Sequence, residues 1–130
     1  MALILCLETT TTNCSVALSR DGNVIALKED MGLNYSHAER LHQYIDAVLA
    51  EGSLTKQDLD AVAVSKGPGS YTGLRIGVSS AKGLCFALDI PLIATNTLKA
   101  LAMQADTTDV HTIIPVLDAR RMEVYSAIFD

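Results

Sequence analysis

The residues with chemical potential cluster at a few places in this 130-residue chain. Glu8 closes an apolar run and is followed by Thr9-Thr10-Thr11-Thr12-Asn13, which sets hydroxyl groups suited to phosphate oxygens beside a carboxylate. A second cluster is Gly67-Pro68-Gly69-Ser70-Tyr71-Thr72-Gly73, between the β-branched run Ala61–Val64 and a helical pattern from Leu74 to Leu88. A strand, a glycine-rich turn and a helix in that order have two uses. The turn aims the unpaired N–H groups of the helix at an anion, or it is a tight reversal that lays the helix close against a sheet. The histidines are His37, His42 and His111. His37 and His42 are five apart on one helical pattern and point roughly 140° apart, too far to share an ion. His111 has no acidic or thiol partner at ligand spacing. No metal is expected.

Ser65, Ser70 and Thr72 flank the glycine turn, but no G-x-S-x-G elbow exists and no histidine is placed to activate them. Ser70 or Thr72 reads as an N-cap for the helix that follows. The turn has neither the G-x-x-x-x-G-K-[ST] nor the G-x-G-x-x-G spacing, and Pro68 removes an N–H from any anion nest. The architectural use is therefore preferred. Gly73, Gly77 and Ala81 recur every four residues along the helix. Two glycines inside a helix cost about 0.5–1 kcal/mol each, so a closely approaching neighbour is expected. If that neighbour lies outside the chain, the stripe is an interface, with Leu41, Tyr44 and Tyr35 nearby as apolar anchors.

These groups are positioned by a regular alternation of elements. Residues 2–8, Cys14 to Ser19 and Asn23 to Lys28 read as strands, the last two joined by the hairpin signal Asp21-Gly22. A polar connection, Glu29 to Tyr35, leads to a helix opened by the capping box Ser36-His37-Ala38-Glu39. Leu41, Tyr44, Ile45, Val48 and Leu49 form its apolar stripe, and Gly52 is the expected stop. A capped turn at Ser53–Asp58 leads into a strand at Ala61–Ser65. After the long helix, Ile90-Pro91 starts a strand at Leu92–Thr95, expected to be buried. Asn96 or Thr97 caps a helix from Leu98 to Gln104, and strands are expected at Thr112–Asp118 and Met122–Phe129. The order βββαβαβαββ is that of an α/β actin-like (ribonuclease H-like, ASKHA) lobe, a mixed sheet with helices on its faces.

Composition sets the outer limits. Apolar residues make up 49% and charged residues 19%, which excludes a disordered chain. The net charge of −5 disfavours direct binding of nucleic acid. Cys6, Cys14 and Cys85 are an odd number without a CxxC pair, each in an apolar segment, as in a reducing compartment. No basic leader and no uncharged apolar run of spanning length is present, so a soluble cytoplasmic protein is expected. The strand-like run Val124–Phe129 reaches the end of the chain without a turn, so a fragment is expected, with residues 1–130 one lobe and the second lobe removed.

The stretch Lys66-Gly67-Pro68-Gly69-Ser70-Tyr71-Thr72-Gly73-Leu74-Arg75-Ile76-Gly77 resembles the signature of the bacterial TsaB (YeaZ) family. Leu7-Glu8-Thr9-Thr10, Cys14-Ser15-Val16-Ala17-Leu18 and Ser36-His37-Ala38-Glu39-Arg40-Leu41 are similar to the same family. The resemblance implies a two-lobed actin-like fold, of which this chain holds the first lobe. It also implies a non-catalytic partner of a TsaD-like catalytic subunit, in the complex that attaches threonylcarbamoyl to the adenosine beside the tRNA anticodon. A homodimer when alone, a TsaE-like ATPase as a further subunit, and indirect contact with tRNA are implied as well. The His-x-x-x-His pair of TsaD-like proteins is not matched by His37 and His42. Leu41, Tyr44, Gly73, Gly77 and Ala81 are the candidate partner interface. The rival reading is an ATP-dependent actin-like kinase or ATPase with Glu8, Thr9 and Thr10 at the nucleotide and Mg-ATP as cofactor. That hairpin lacks a glycine for close approach to phosphate. A glycoprotease-type metallopeptidase is a more distant alternative.

Overall fold

The computed structural model describes residues 2–30 and 37–130. The capping-box residue Ser36 and the candidate anchor Tyr35 lie outside the described residues. Three strands open the chain: β1 (Leu3–Glu8), β2 (Cys14–Arg20) and β3 (Asn23–Asp30). Asp21 and Gly22 both take positive φ (52° and 83°), the geometry that lets a two-residue turn match the twist of its strands. α1 (His37–Glu51), β4 (Ala61–Ser65), α2 (Tyr71–Leu88), β5 (Leu92–Thr95) and α3 (Thr97–Ala102) follow. A single 3₁₀ turn, Lys56–Asp58, precedes β4 and is held by the Asp58 carboxylate accepting from the Thr55 N–H at 2.8 Å. The element order is the one expected from periodicity.

One sheet runs β3-β2-β1-β4-β5, with β1–β2 and β2–β3 antiparallel and β1–β4 and β4–β5 parallel. Period-2 alternation puts Leu3, Leu5 and Leu7 on one face, with Cys14, Val16 and Leu18 beside them. The stripe of α1 (Leu41, Ile45, Val48, Leu49) closes over that face, and Ala81 and Cys85 of α2 join the same core. Burying each large aliphatic side chain here contributes roughly 1.5–3 kcal/mol. The main core cluster lies between this face and the two long helices, while Ala61, Leu98 and Ala102 are buried outside it.

Local details depart from expectation for identifiable reasons. α1 ends before Gly52, but the left-handed residue is the next one, Ser53 (φ 56°), with the Leu54 N–H reaching back to the Leu49 carbonyl at 2.8 Å. β5 was expected to be buried, yet Ile93, Ala94 and Thr95 are exposed. It is an edge strand, and the expected burial presumed a neighbour on both sides.

The last two strands are shorter than expected: β6 (Val116–Arg120) and β7 (Glu123–Ser126) form a separate two-stranded ribbon. A single antiparallel bridge, Ile113 to Phe129, continues it. Its turn holds Arg120, Arg121 and Met122 at φ 67°, 55° and 63°, and a left-handed conformation costs an L-residue roughly 1–2 kcal/mol. Arg121→Gly is therefore expected to stabilise the chain by about 1 kcal/mol, read as a higher urea midpoint. No change or a loss would show that the arginine side chain supports the turn. Among the described residues no helix is long and apolar enough to cross a membrane.

Candidate functional site

Both sequence clusters meet at one corner, where the β1–β2 turn abuts the N-terminal ends of α1 and α2. The Ser70 hydroxyl caps α2 by accepting from the Gly73 N–H at 3.2 Å, and the Ser70 N–H donates to the Thr10 carbonyl at 2.8 Å. The His37 Nε2–H donates to the Thr11 carbonyl at 2.6 Å. The buried guanidinium of Arg40 donates to the carbonyls of Asp30 (2.8 Å) and Thr12 (3.4 Å). Three successive carbonyls of the threonine-rich turn are thus drawn inward and pinned to the two helices.

The hydroxyls are drawn inward as well. Thr9 and Thr10 are almost fully buried. The Thr9 hydroxyl donates to the Gly73 carbonyl at 2.7 Å. The Thr10 hydroxyl donates to one carboxylate oxygen of Glu8, and the Ser65 hydroxyl donates to the other. Glu8, Thr9 and Thr10, the candidate nucleotide residues, do come together, but they face one another and the α2 corner. Thr11 and Thr12 remain exposed. Beside them a cleft of about 680 Å³ opens between this corner and the β6–β7 ribbon, lined in part by Ser70, Tyr71, Asp118 and Arg120.

The small-residue stripe has its close neighbour within the chain. A Cβ on Gly73 would collide with the Thr9 carbonyl oxygen, and one on Gly77 with the Thr9 hydroxyl oxygen. A Cβ on Gly69 would lie 2.8 Å from the Thr10 carbonyl oxygen. Gly73, Gly77 and Ala81 are buried, as is Leu41. The reading of these four as an outward-facing interface is corrected by that geometry: the close approach is between α2 and the end of β1. Of the two described candidate anchors, Tyr44 is half-buried, its hydroxyl donating to the Asp30 carboxylate at 3.3 Å.

Sequence reasoning missed the surface that α1 and α2 do present. A groove of about 400 Å³ runs between them, lined by Ala38, His42, Thr72, Arg75, Ile76, Ser79 and Ser80. His42 Nε2 lies 3.4 Å from the Ser80 hydroxyl, and the Arg75 guanidinium sits 5.6 Å from the centre of the exposed Tyr71 ring. The spacing of Thr72, Ile76, Ser79 and Ser80 on one helical face was the available signal. Among the described residues no group of three or more His, Cys, Asp and Glu side chains is gathered for a metal ion.

Burial pushes the thiols of Cys6, Cys14 and Cys85 above their ordinary range, with Arg40 partly offsetting the effect at Cys14. The Tyr44 hydroxyl is also raised, first by desolvation and then by the Asp30 carboxylate. Groups with raised folded values hold their protons more tightly in the native state. Their contribution is complete below the unfolded values, about pH 8.5 for thiols and 10 for tyrosine, and is lost as pH rises through the folded ones. The urea midpoint is therefore expected to fall steadily above about pH 8.5; a midpoint that stays level to pH 10.5 would contradict this.

The family model described as TsaD, tRNA N6-adenosine threonylcarbamoyltransferase, matches residues 33–129. The tRNA threonylcarbamoyladenosine biosynthesis protein TsaB of Bacillus subtilis (strain 168) is 39% identical over 126 residues, covering 97% of this chain and 54% of the relative. The protein of the same name from Escherichia coli (strain K12) is 37% identical over 125 residues, covering 95% and 53%. The structure of YeaZ from Pseudomonas aeruginosa superposes with a TM-score of 0.87 at 35% identity, covering 99% of this chain and 59% of that one. A T. thermophilus RuvC structure superposes at 0.54 with 11% identity, covering 83% and 73%, a likeness of fold alone. The chain spans about half the length of the curated relatives it matches.

Proposed function

The chain belongs to the TsaD-type family, in its TsaB (YeaZ) branch, and on that premise we propose that it serves as a non-catalytic subunit in tRNA threonylcarbamoyladenosine formation. Residues 1–130 act as the first lobe of an actin-like fold, and they bind and activate a TsaD-like catalytic subunit. The observation that carries the non-catalytic reading is the internal pairing of Glu8. Both of its carboxylate oxygens accept from hydroxyls of the chain, and Thr9 and Thr10 spend their hydroxyls inside the same corner. An acid and hydroxyls consumed in this way hold a fold together and offer little to a substrate.

The docking surface in this reading is the groove between α1 and α2, with exposed Ser79 and Arg75 at its lip. Ser79→Trp fills that groove without entering the core. Light scattering of the chain mixed with a TsaD-like subunit is expected to give a one-to-one complex, and Ser79→Trp to weaken it at least about tenfold with the melting temperature unchanged. A complex indifferent to Ser79→Trp would sink the groove assignment. Threonylcarbamoyl transfer by the chain without any TsaD-like subunit would overturn the non-catalytic reading. A homodimer through the same groove and a TsaE-like ATPase as third component belong to this proposal.

A further inference from the structure

The groove between α1 and α2 is electrostatically one-sided. Its polar side chains are the His42 imidazole, the Arg75 guanidinium and the hydroxyls of Thr72, Ser79 and Ser80, and no carboxylate lines it. The whole chain has 15 Asp and Glu against 10 Lys and Arg. Yet α2 carries Arg75 and Lys82 and no acidic residue from Tyr71 to Leu88. Lys28, Arg40 and Lys56 are paired with Glu51, Asp30 and Asp46. Among the described residues neither Arg75 nor Lys82 lies within ion-pair distance of a carboxylate.

Arg75 is also held ready. Its guanidinium lies over the Tyr71 ring, one turn earlier on the same helix, 5.6 Å from its centre. Stacking on an aromatic face restrains the planar fork and leaves N–H groups along its edge, which can grip a carboxylate through two bonds at once. Beside it the groove is lined by the small residues Ala38, Ser79 and Ser80. Helices pack at axial distances of about 8–10 Å, closest where the facing side chains are small. A third helix can therefore lie across α1 and α2 and bring an acidic side chain to Arg75. RNA is the poorer occupant, since two cations on an acidic chain make a weak track for phosphates. A second copy is poorer too: its α1 acids Asp46 and Glu51 already pair with Lys56 and Lys28, and Glu39 is engaged as well.

We propose that Arg75 is the receptor for a carboxylate on a helix of the TsaD-like subunit, seated in the α1–α2 groove. The inference rests on the docking role proposed above and adds the charge of the element that docks. Exposed Lys82, about two turns further along α2, extends the positive rim.

Titration calorimetry of the 130-residue chain with a TsaD-like subunit, at about 50 and about 500 mM sodium chloride, tests it. The wild-type dissociation constant should rise with salt. Arg75→Glu is expected to weaken binding at least about thirtyfold at the lower salt, and its affinity should improve as salt is added. Arg75→Lys keeps the charge but loses the fork, and should fall between the two. Melting temperatures should not move, because Arg75 is exposed.

A charge swap then separates the contact from any general effect. The exposed Asp and Glu residues of the TsaD-like subunit are changed in turn to Arg. One of them should restore binding to Arg75→Glu at least about tenfold while weakening binding to the wild type. Rescue by none would overturn the proposal, as would a complex indifferent to Arg75→Glu. If that indifferent complex is still broken by Ser79→Trp, the groove stands and only the acidic contact is lost. Absence of any complex would remove the docking role and this inference with it. Anisotropy of labelled tRNA and sedimentation of the chain alone check the other occupants. Binding of tRNA, or self-association, that is abolished by Arg75→Glu would sink the carboxylate assignment.

Discussion

Gly73→Ala and Gly77→Ala are each expected to cost about 3 kcal/mol of stability or to prevent folding, although alanine is the better helix former. The cause differs between the two sites, and that difference is the test. At Gly77 the new Cβ meets the Thr9 hydroxyl oxygen, and the Thr9 Cβ lies 3.4 Å away, an ordinary contact. Thr9→Ala removes the obstructing atom at a cost of about 1 kcal/mol for the lost bond to the Gly73 carbonyl. The double variant Thr9→Ala/Gly77→Ala should therefore recover at least half of the loss in urea unfolding. At Gly73 the obstruction is the Thr9 carbonyl oxygen, which no side-chain change removes. Thr9→Ala/Gly73→Ala should show no recovery. Equal rescue at both positions would mean that the helix shifts as a body, and the close approach would lose its meaning. It follows that Gly77→Leu is a poor probe of partner binding, because a lost complex would report a damaged fold.

Glu8→Ala is the second large effect, at about 2 kcal/mol. It strands the hydroxyls of Thr10 and Ser65, which respectively hold the β1–β2 turn and the end of β4 to a single carboxylate. Glu8→Gln should recover part of the loss, since its amide oxygen still accepts one of the two bonds. Titration calorimetry with Mg-ATP separates this role from the rival one. A nucleotide site built on Glu8 would show binding that vanishes in Glu8→Ala while stability is kept. The internal pairing predicts the reverse, stability lost and no nucleotide heat in either protein.

The elements governed by neighbours in sequence were legible from sequence. The Asp21-Gly22 turn, the α1 stripe and the Ser70 cap each depend on backbone preferences within a few residues, and each stands where periodicity and turn chemistry put it. The corner was only half legible. Four-residue spacing announces that something approaches Gly73 and Gly77, but it carries no information about what approaches, and Thr9 is more than 60 residues away along the chain. The Glu8–Ser65 bond has the same character, spanning 57 positions. The exposure of β5 follows from strand order, which alternation inside a single strand does not encode. The α1–α2 groove was hidden because its lining, Ile76 apart, is polar or small, so the face shared by Thr72, Ile76, Ser79 and Ser80 carries no apolar stripe.

The irregularity in the β2–β3 ladder bears on how this chain behaves at high concentration. Pairing slips between Leu18 and Ser19, so Ile25 is an extra residue on the outermost strand, which ends in Lys28, Glu29 and Asp30. A bulge bends the row of free N–H and C=O groups, and charged side chains make a second strand costly to add. At the opposite edge β5 offers only four residues. With Val24, Ile25 and Leu27 exposed on the outermost strand, this sheet carries the raw material for edge-to-edge aggregation. The slip at Ile25 is what keeps that strand from serving as a template.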